Sequence, residues 1–252
     1  MKIIADLHTH TNVSNHAFNT LTEMAGRAGE LGLYALAVTD HAPSMPDSPH
    51  PWYFYNLKRL PEKVEGVWLL KGAETNVRGV DGTLDFTPEE LARLRFDWVI
   101  ASIHSITVGA DRLTEDEATR LWLNVAENPY VDCIGHSESG AYRYDYDAVA
   151  KVFAEKGKVV EMNANSANVR PGNEQNMREL ALACKRHGTL LAVNSDAHSI
   201  YQLGVFDTVL PMLEEIHFPL EQIVNSSREA LLHVLQAHKK PIAARMAEQE
   251  PV

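Results

Sequence analysis

The sequence predicts an α/β fold in which seven parallel strands and their intervening helices form a closed or distorted barrel. Three observations carry this. Short apolar runs without polar alternation recur along the 252 residues, as strands buried on both faces require. Amphipathic stretches of helical length separate most of them. Histidine or a carboxylate follows the C-terminal end of nearly every run. A ring of strands brings those ends to one mouth, whereas an open sheet spreads them along a line. The length suits one domain over 1–252. No glycine-rich phosphate loop follows the first strand, so a dinucleotide-binding sheet has no support.

The first strand is expected at Ile3–Leu7. Thr20–Leu31 reads as a helix, with Thr20 as N-cap and Glu23 as its capping-box partner. Strands Ala35–Thr39 and Val67–Lys71 follow, then helix Pro88–Leu94 and strand Trp98–Ser102. Helix Glu115–Glu127 leads to strand Val131–Gly135, and helix Asp145–Lys156 to strand Val159–Asn163. Helix Asn173–His187 ends at Arg186, His187 and Gly188, the usual chemistry of a helix C-terminus. Leu190–Asn194 is the seventh strand. Phe206–Glu215 reads as a helix, Ile223–Val224 as a short last strand, and Ser227–Ala237 as a helix capped by Ser226 or Ser227. Beyond Pro241 a frayed end is expected.

Composition excludes several function classes. A net charge of -11 argues against wrapping extended nucleic acid, which needs a basic face. It leaves a nucleotide-sized substrate open, because bound divalent ions would supply local positive charge. Cys133 and Cys184 lie in apolar stretches without a CxxC, which predicts two buried free thiols. Met1 runs straight into the first strand with no room for a signal peptide. No apolar run approaches the ~20 residues of a membrane span, so a cytoplasmic protein is expected.

The chemistry concentrates at the strand ends. His8 and His10, one residue apart after the first strand, leave an extended chain on the same side. His16 lies in the loop that follows. His41 follows the second strand, Glu74 the third, His104 the fourth and His136 the fifth, while Asp196 and His198 follow the seventh. His50, His187, His217, His233 and His238 fall in loops or on helices and carry no such pattern. One histidine at a strand end is ordinary; six strands delivering ligand-type residues to one rim predict a metal site. Imidazole with a minority of carboxylate and no thiolate favours Zn²⁺, with Mn²⁺ or Fe²⁺ as alternatives. Nine ligands exceed one tetrahedral ion and suffice for two or three, with Glu74 able to bridge.

These residues resemble the polymerase and histidinol phosphatase (PHP) domain family along essentially the whole chain. The motifs that carry the resemblance are Asp6-Leu7-His8-Thr9-His10, Thr39-Asp40-His41, Gly72-Ala73-Glu74-Thr75-Asn76 and Ser195-Asp196-Ala197-His198. Asp40-His41-Ala42-Pro43 through Pro49-His50 and Trp52, with Val80-Asp81-Gly82, is similar to stand-alone bacterial phosphatases of the YcdX type. The resemblance implies a distorted, TIM-like (β/α)7 barrel with three Zn²⁺ ions at its C-terminal mouth. It gives one ion to His8, His10, Glu74 and Asp196, a second to Glu74, His104 and His136, and a third to His16, His41 and His198.

The implied activity is hydrolysis of a small phosphomonoester by a hydroxide bridging two ions. Asp40 and Asp6 would orient ligating imidazoles. Arg170 would clamp a phosphate, with Glu161, Asn163 and Asn165 near the mouth. One alternative is a phosphodiesterase acting on a nucleotide 3′ end. An amidohydrolase is a weaker one, because its strand-four lysine is absent and His16, His41, Glu74 and His198 would lack a role. The full ligand set argues against a non-catalytic module. Ser105-Ile106-Thr107 and Ser137-Glu138 depart from the family pattern beside the mouth and bear on the substrate, which the sequence does not name.

Overall fold

The computed structural model describes residues 1–170 and 172–249. It opens with strand β1 (Ala5–Thr9), helix α1 (Leu21–Glu30), strand β2 (Ala35–Val38), helix α2 (Trp52–Asn56), the two-residue strand β3 (Lys63–Val64) and strand β4 (Val67–Asn76). Helix α3 (Pro88–Leu94), strand β5 (Trp98–Ser102), helices α4 (Ser105–Val108) and α5 (Glu115–Ala126), strand β6 (Cys133–Ile134) and helix α6 (Tyr146–Lys156) come next. Strand β7 (Val159–Asn163), helices α7 (Ser166–Val169) and α8 (Glu174–His187) and strand β8 (Leu190–Asn194) complete the sheet. Helices α9 (Leu210–Glu215), α10 (Arg228–Ala237) and α11 (Pro241–Gln249) follow.

Seven strands pair in parallel in the order β1-β2-β4-β5-β6-β7-β8, and β3 adds an antiparallel pairing to β4. The sheet nearly closes as the predicted distorted barrel. β1 and β8 meet without a regular ladder. A bridge joins Thr9 to Ala197. The buried Asn225 side chain spans the remaining gap. Its Nδ2 donates to Ala5 O (2.8 Å) and Val193 O (2.7 Å), and its Oδ1 accepts from Val193 N–H (3.1 Å). This satisfies backbone groups that two sheet edges would otherwise leave open.

Local chemistry explains the helices. Thr20, Thr87 and Thr114 each close a capping box on α1, α3 and α5, and Asp145 and Ser227 cap α6 and α10. Gly188 ends α8 in the left-handed conformation. Two apolar layers hold the barrel. Inside, Leu7, Trp68, Leu70, Trp98 and Ile100 pack against Leu231, Leu235, Ile242 and Met246 of α10 and α11. Outside, Leu69, Val99 and Ala101 pack with Leu121, Trp122, Phe153 and Leu180 of the helices. Each large side chain so buried contributes roughly 1.5–3 kcal/mol.

Four expectations are corrected. β1 runs two residues further than Leu7. β4 continues to Asn76, so Glu74 lies within a strand rather than after one. Its first half pairs with β2 and its second half, from Gly72, with β5. Ile223–Val224 makes one bridge to Leu191 and no strand. The segment from Pro241 to Gln249 is a helix that buries Ile242, Ala243 and Met246 under the barrel, because the open foot of the inner core needs an apolar cover. Cys133 and Cys184 are buried free thiols as expected. Among the described residues no helix is long and apolar enough to cross a membrane.

Two outcomes follow for stability. Asn225→Ala strips three backbone groups of their partner and is expected to cost about 3 kcal/mol, read as a lower urea midpoint at unchanged slope. Lys158 donates to Asn128 O and Val131 O, and burial pulls its ammonium down from 10.5 to about 8. The unfolded chain therefore binds more protons between those values, so stability rises with pH across that window. Compared with Lys158→Met, the native chain is expected to gain up to about 3 kcal/mol between pH 7.5 and 10.5 in chemical denaturation.

Candidate metal centre

The register of β1 against β2 slips by one residue between Asp6 and Thr9. This bulge re-aims the strand end. Leu7 packs in the inner core, and His8 beside it is also fully buried with its ring 5.1 Å from that of His10. His41 sits immediately past β2, bridged to Glu74 of β4. His136 and Asp196 leave β6 and β8 in the left-handed region, at φ +27° and +52°. Neither is a glycine, and such backbone persists where the surroundings over-determine it, often at functional sites. At Gly135 an added Cβ would stand 2.2 Å from Ser102 Oγ, so only glycine lets β6 turn there.

All nine predicted residues join one network round Glu74. Its Oε2 stands 3.5 Å from His8 Nε2, 3.6 Å from His10 Nε2 and 2.9 Å from His41 Nδ1. Its Oε1 is 2.9 Å from His136 Nε2 and 3.7 Å from His104 Nε2. Asp196 Oδ1 lies 3.5 Å from His8 Nε2 and 3.2 Å from His10 Nε2. The His198 ring stacks 4.3 Å from His10 and lies tilted 4.3 Å from His16. Only His16 has a largely exposed side chain.

The donor set fits a divalent cation. Ligands about 2.0–2.1 Å from a tetrahedral Zn²⁺ stand roughly 3.4 Å apart. The four distances linking His8 and His10 to Glu74 and Asp196 run from 3.2 to 3.6 Å. His8 Nε2, both nitrogens of His10, His41 Nδ1, Glu74 Oε2 and His198 Nε2 are buried without a hydrogen-bond partner among the described residues. Buried lone pairs in that number are costly unless something electropositive meets them. Three further groups have donors within 4.8 Å of one another: His10/His41/His198, His16/His41/Asp47 and His41/Glu74/His104. His41 therefore touches more than the one set expected for it, and Asp47 is an addition that the sequence pattern did not suggest.

Coordination needs neutral imidazole and ionised carboxylate, a state that holds for part of the set. At His8 and His41, where burial is outweighed by neighbouring carboxylates that raise the pKa, an ion must displace the proton. Burial, then the rings of His41 and His198, hold His10 well below the ordinary imidazole value. Burial pulls His104 down to about 3 and also lowers His198. Glu74 is held well below the usual carboxylate range: burial opposes this, and His8, His41 and His104 outweigh it. Asp196 is likewise low, against burial, because of His8 and His10. His8 is raised, its burial overcome by Glu161, Asp196 and Glu74.

A ring of acceptors fixes the imidazoles. Glu161 accepts from His8 Nδ1 (2.7 Å), His136 N–H (2.8 Å), Asn194 Nδ2 (2.9 Å) and Asn163 Nδ2 (3.0 Å). Asn76 Oδ1 meets His104 Nδ1 at 2.8 Å, and Asp47 Oδ2 meets His16 Nδ1 at 2.8 Å. Asp40 reaches no imidazole. Its carboxylate accepts from Thr11 N–H and Oγ1, Ser14 Oγ and Tyr53 OH, and Ser14 in turn accepts from His41 N–H. It thus ties the loop bearing His16 to the end of β2 through the backbone. Asp6 likewise binds Ser195 and Gly204 and no ring. Arg170 lines a cleft of about 460 Å³ with His104, Ile106 and Tyr142. Asn163 also donates to Asp196 Oδ2, and Asn165 starts α7 beside it.

The PHP domain model matches residues 6–165. The chain belongs to the PHP domain family. The model stops before Asp196 and His198, but relatives extend the likeness over nearly the whole PHP chain. A probable phosphatase of Clostridium novyi is 42% identical over 95% of this chain and 97% of its own. One from Acetivibrio thermocellus is 39% identical over 96% and 99%. Among solved structures, the histidinol phosphate phosphatase of Lactococcus lactis, complexed with zinc, L-histidinol and phosphate, aligns at TM-score 0.62 and 21% identity. It covers 85% of this chain and 94% of that one. YwqE from Bacillus subtilis and CpsB from Streptococcus pneumoniae, metal-dependent tyrosine phosphatases, align at 0.51 and 16% over 93% and 92%. At such identities the likeness is one of fold.

Because Glu161 fixes the His8 ring, Glu161→Gln is expected to weaken divalent-metal affinity roughly tenfold to hundredfold. Competition for Zn²⁺ with a chromophoric chelator measures this, and unchanged affinity would contradict the orienting role.

Proposed function

We propose that the chain is a metal-dependent phosphatase that hydrolyses a small phosphomonoester at three metal ions held by His8, His10, His16, His41, Glu74, His104, His136, Asp196 and His198. The observation that carries this reading is the cluster of buried, unpartnered donors from His8, His10 and Glu74, with Asp196 Oδ1 beside both rings, at spacings that ligands of one Zn²⁺ would have. When bound, the ions supply the Lewis acidity that activates water near neutral pH and neutralises charge on the phosphoryl oxygens. Zn²⁺ suits the imidazole-rich set, with Mn²⁺ or Fe²⁺ as substitutes. That relatives 39–42% identical over nearly the full chain are named probable phosphatases supports the reaction class.

The chain's own part is to hold and orient. The barrel keeps the ligands dry, and Glu161 and Asn76 fix the rings of His8 and His104. Arg170, in the cleft beside His104, presents a guanidinium suited to the non-bridging oxygens of a phosphate. A cleft of about 460 Å³ suits a metabolite-sized ester. The acidic net charge disfavours a long nucleic acid. The whole described chain forms this one catalytic barrel, with a small phosphorylated substrate as its partner and the cytoplasm as its setting.

The purified protein is expected to carry two or three divalent ions and to release p-nitrophenol from p-nitrophenyl phosphate until a chelator is added. A metal-free, inert protein overturns the reading. Arg170→Ala is expected to lower kcat/KM by roughly tenfold to hundredfold with metal content unchanged.

A further inference from the structure

The cations of this acidic chain are unevenly placed. Lys58, Lys71, Arg93, Arg95 and Arg245 converge on one cavity of about 370 Å³. They come from four separate segments: the turn after α2, strand β4, the end of α3, and α11. Among the described residues Glu62 and Asp97 are the only carboxylates lining it, in a chain whose acids outnumber its bases by 34 to 23. The cavity lies at the N-terminal end of β5, the end of the sheet opposite the metal cluster. Neither α10 nor the mouth loops fill it.

Its partners are only partly spent. Glu62 pairs with Arg245. Asp97 accepts from Lys71 N–H, Lys71 Nζ donates to Leu60 O, and Arg93 donates to Tyr55 OH. Lys58 and Arg95 are exposed, and no hydrogen bond or ion pair of either side chain is seen among the described residues. Arg95 adds a second, independent observation. It caps α3 in the left-handed conformation, φ +53° and ψ +46°, where glycine is the residue that fits without cost. An arginine there places a guanidinium at the wall of the cavity at the expense of backbone ease, and strain of this kind is commonly retained for function. A neighbouring cavity shares Arg95 and is lined by Lys239 and by Lys240, whose ammonium is already paired with Asp132. Lys239 is also left-handed, at φ +57°. An excess of five cations over two carboxylates on one concave surface focuses multivalent anions.

We propose that this basin at the foot of the barrel binds a small multivalent phosphate anion, at a site separate from the metal-bearing mouth. Its occupant is a compact di- or polyphosphate-type group, since the lining offers several point charges and forks from separate elements. The site stands apart from the hydrolytic reading: it requires no metal and touches no residue of the mouth.

The test is titration calorimetry of pyrophosphate into the full-length protein in phosphate-free buffer, chelated and metal-loaded, beside Lys58→Ala/Arg95→Gly and Arg170→Ala. One site of submillimolar Kd is expected in the chelated protein. The double variant should weaken it at least tenfold, while Arg170→Ala leaves it unchanged. Glycine suits the backbone at position 95, so the double variant is expected to keep its far-UV circular dichroism and Tm. Arg95→Lys should retain most of the binding. No binding to the chelated protein, binding unmoved by the double variant, or binding lost in Arg170→Ala each overturns the proposal. A dead phosphatase with intact pyrophosphate binding would fault the hydrolytic reading alone.

Discussion

The structure depends on keeping one carboxylate, Glu74, fully buried within 3.7 Å of five imidazole nitrogens. Donors and acceptors of this kind prefer water, and here there is little room for it. Holding them together needs walls that do not yield. The barrel supplies them: β1, β2, β4, β5, β6 and β8 present ligands on or just past their rigid ends, which is how a site keeps its geometry to fractions of an ångström. The irregularities follow from the same demand. The bulge in β1, the left-handed turns at His136 and Asp196, and Gly135 pressed on Ser102 each bend a strand end to bring a side chain inward.

Much of this was legible in the sequence because it rests on local signals. Apolar runs marked the strands, threonine capping boxes marked α1, and histidines and carboxylates at run ends marked the mouth. What stayed hidden depends on non-local packing. The extra half of β4 forms because Gly72–Asn76 gains a new partner in β5, which nothing in that segment announces. Helix α11 looked like a frayed tail because its apolar residues matter only once the barrel has an open foot. Glu161 was read as one polar residue near the mouth. Its place as the acceptor shared by His8 and His136 comes from strands far apart in sequence. Asp47, in a proline-rich loop, gave no signal of its meeting with His16.

Asp40 and Asp6 illustrate a different lesson. Asp40 stands next to a ligand in sequence and Asp6 two residues before one, and that nearness suggested direct contact with an imidazole. A side chain's neighbour in an extended chain points to the other face, and the register slip in β1 between Asp6 and Thr9 breaks the alternation that would align Asp6 with His8. Both carboxylates therefore act on backbone: Asp40 on the loop of Thr11 and Ser14, and Asp6 on Ser195 and Gly204. The site is held by two concentric layers, one of side chains touching ligands and one of carboxylates pinning the turns that carry them.

The Asn225 clasp bears on how such a barrel is made. Its bond to Ala5 joins residues 220 positions apart. Contacts of that span are slow to form, because a long loop must close before they reward it. During synthesis β1 emerges early, and its exposed flank waits for β8, Asn225 and the two helices that floor the barrel. Until then Trp68 and Trp98 lack their cover and the first strand offers an unpaired edge, the combination that invites aggregation. The nascent chain is thus most vulnerable just before the ring shuts, and chaperone protection of that late interval would matter more to its yield than the strength of any single contact in the finished fold.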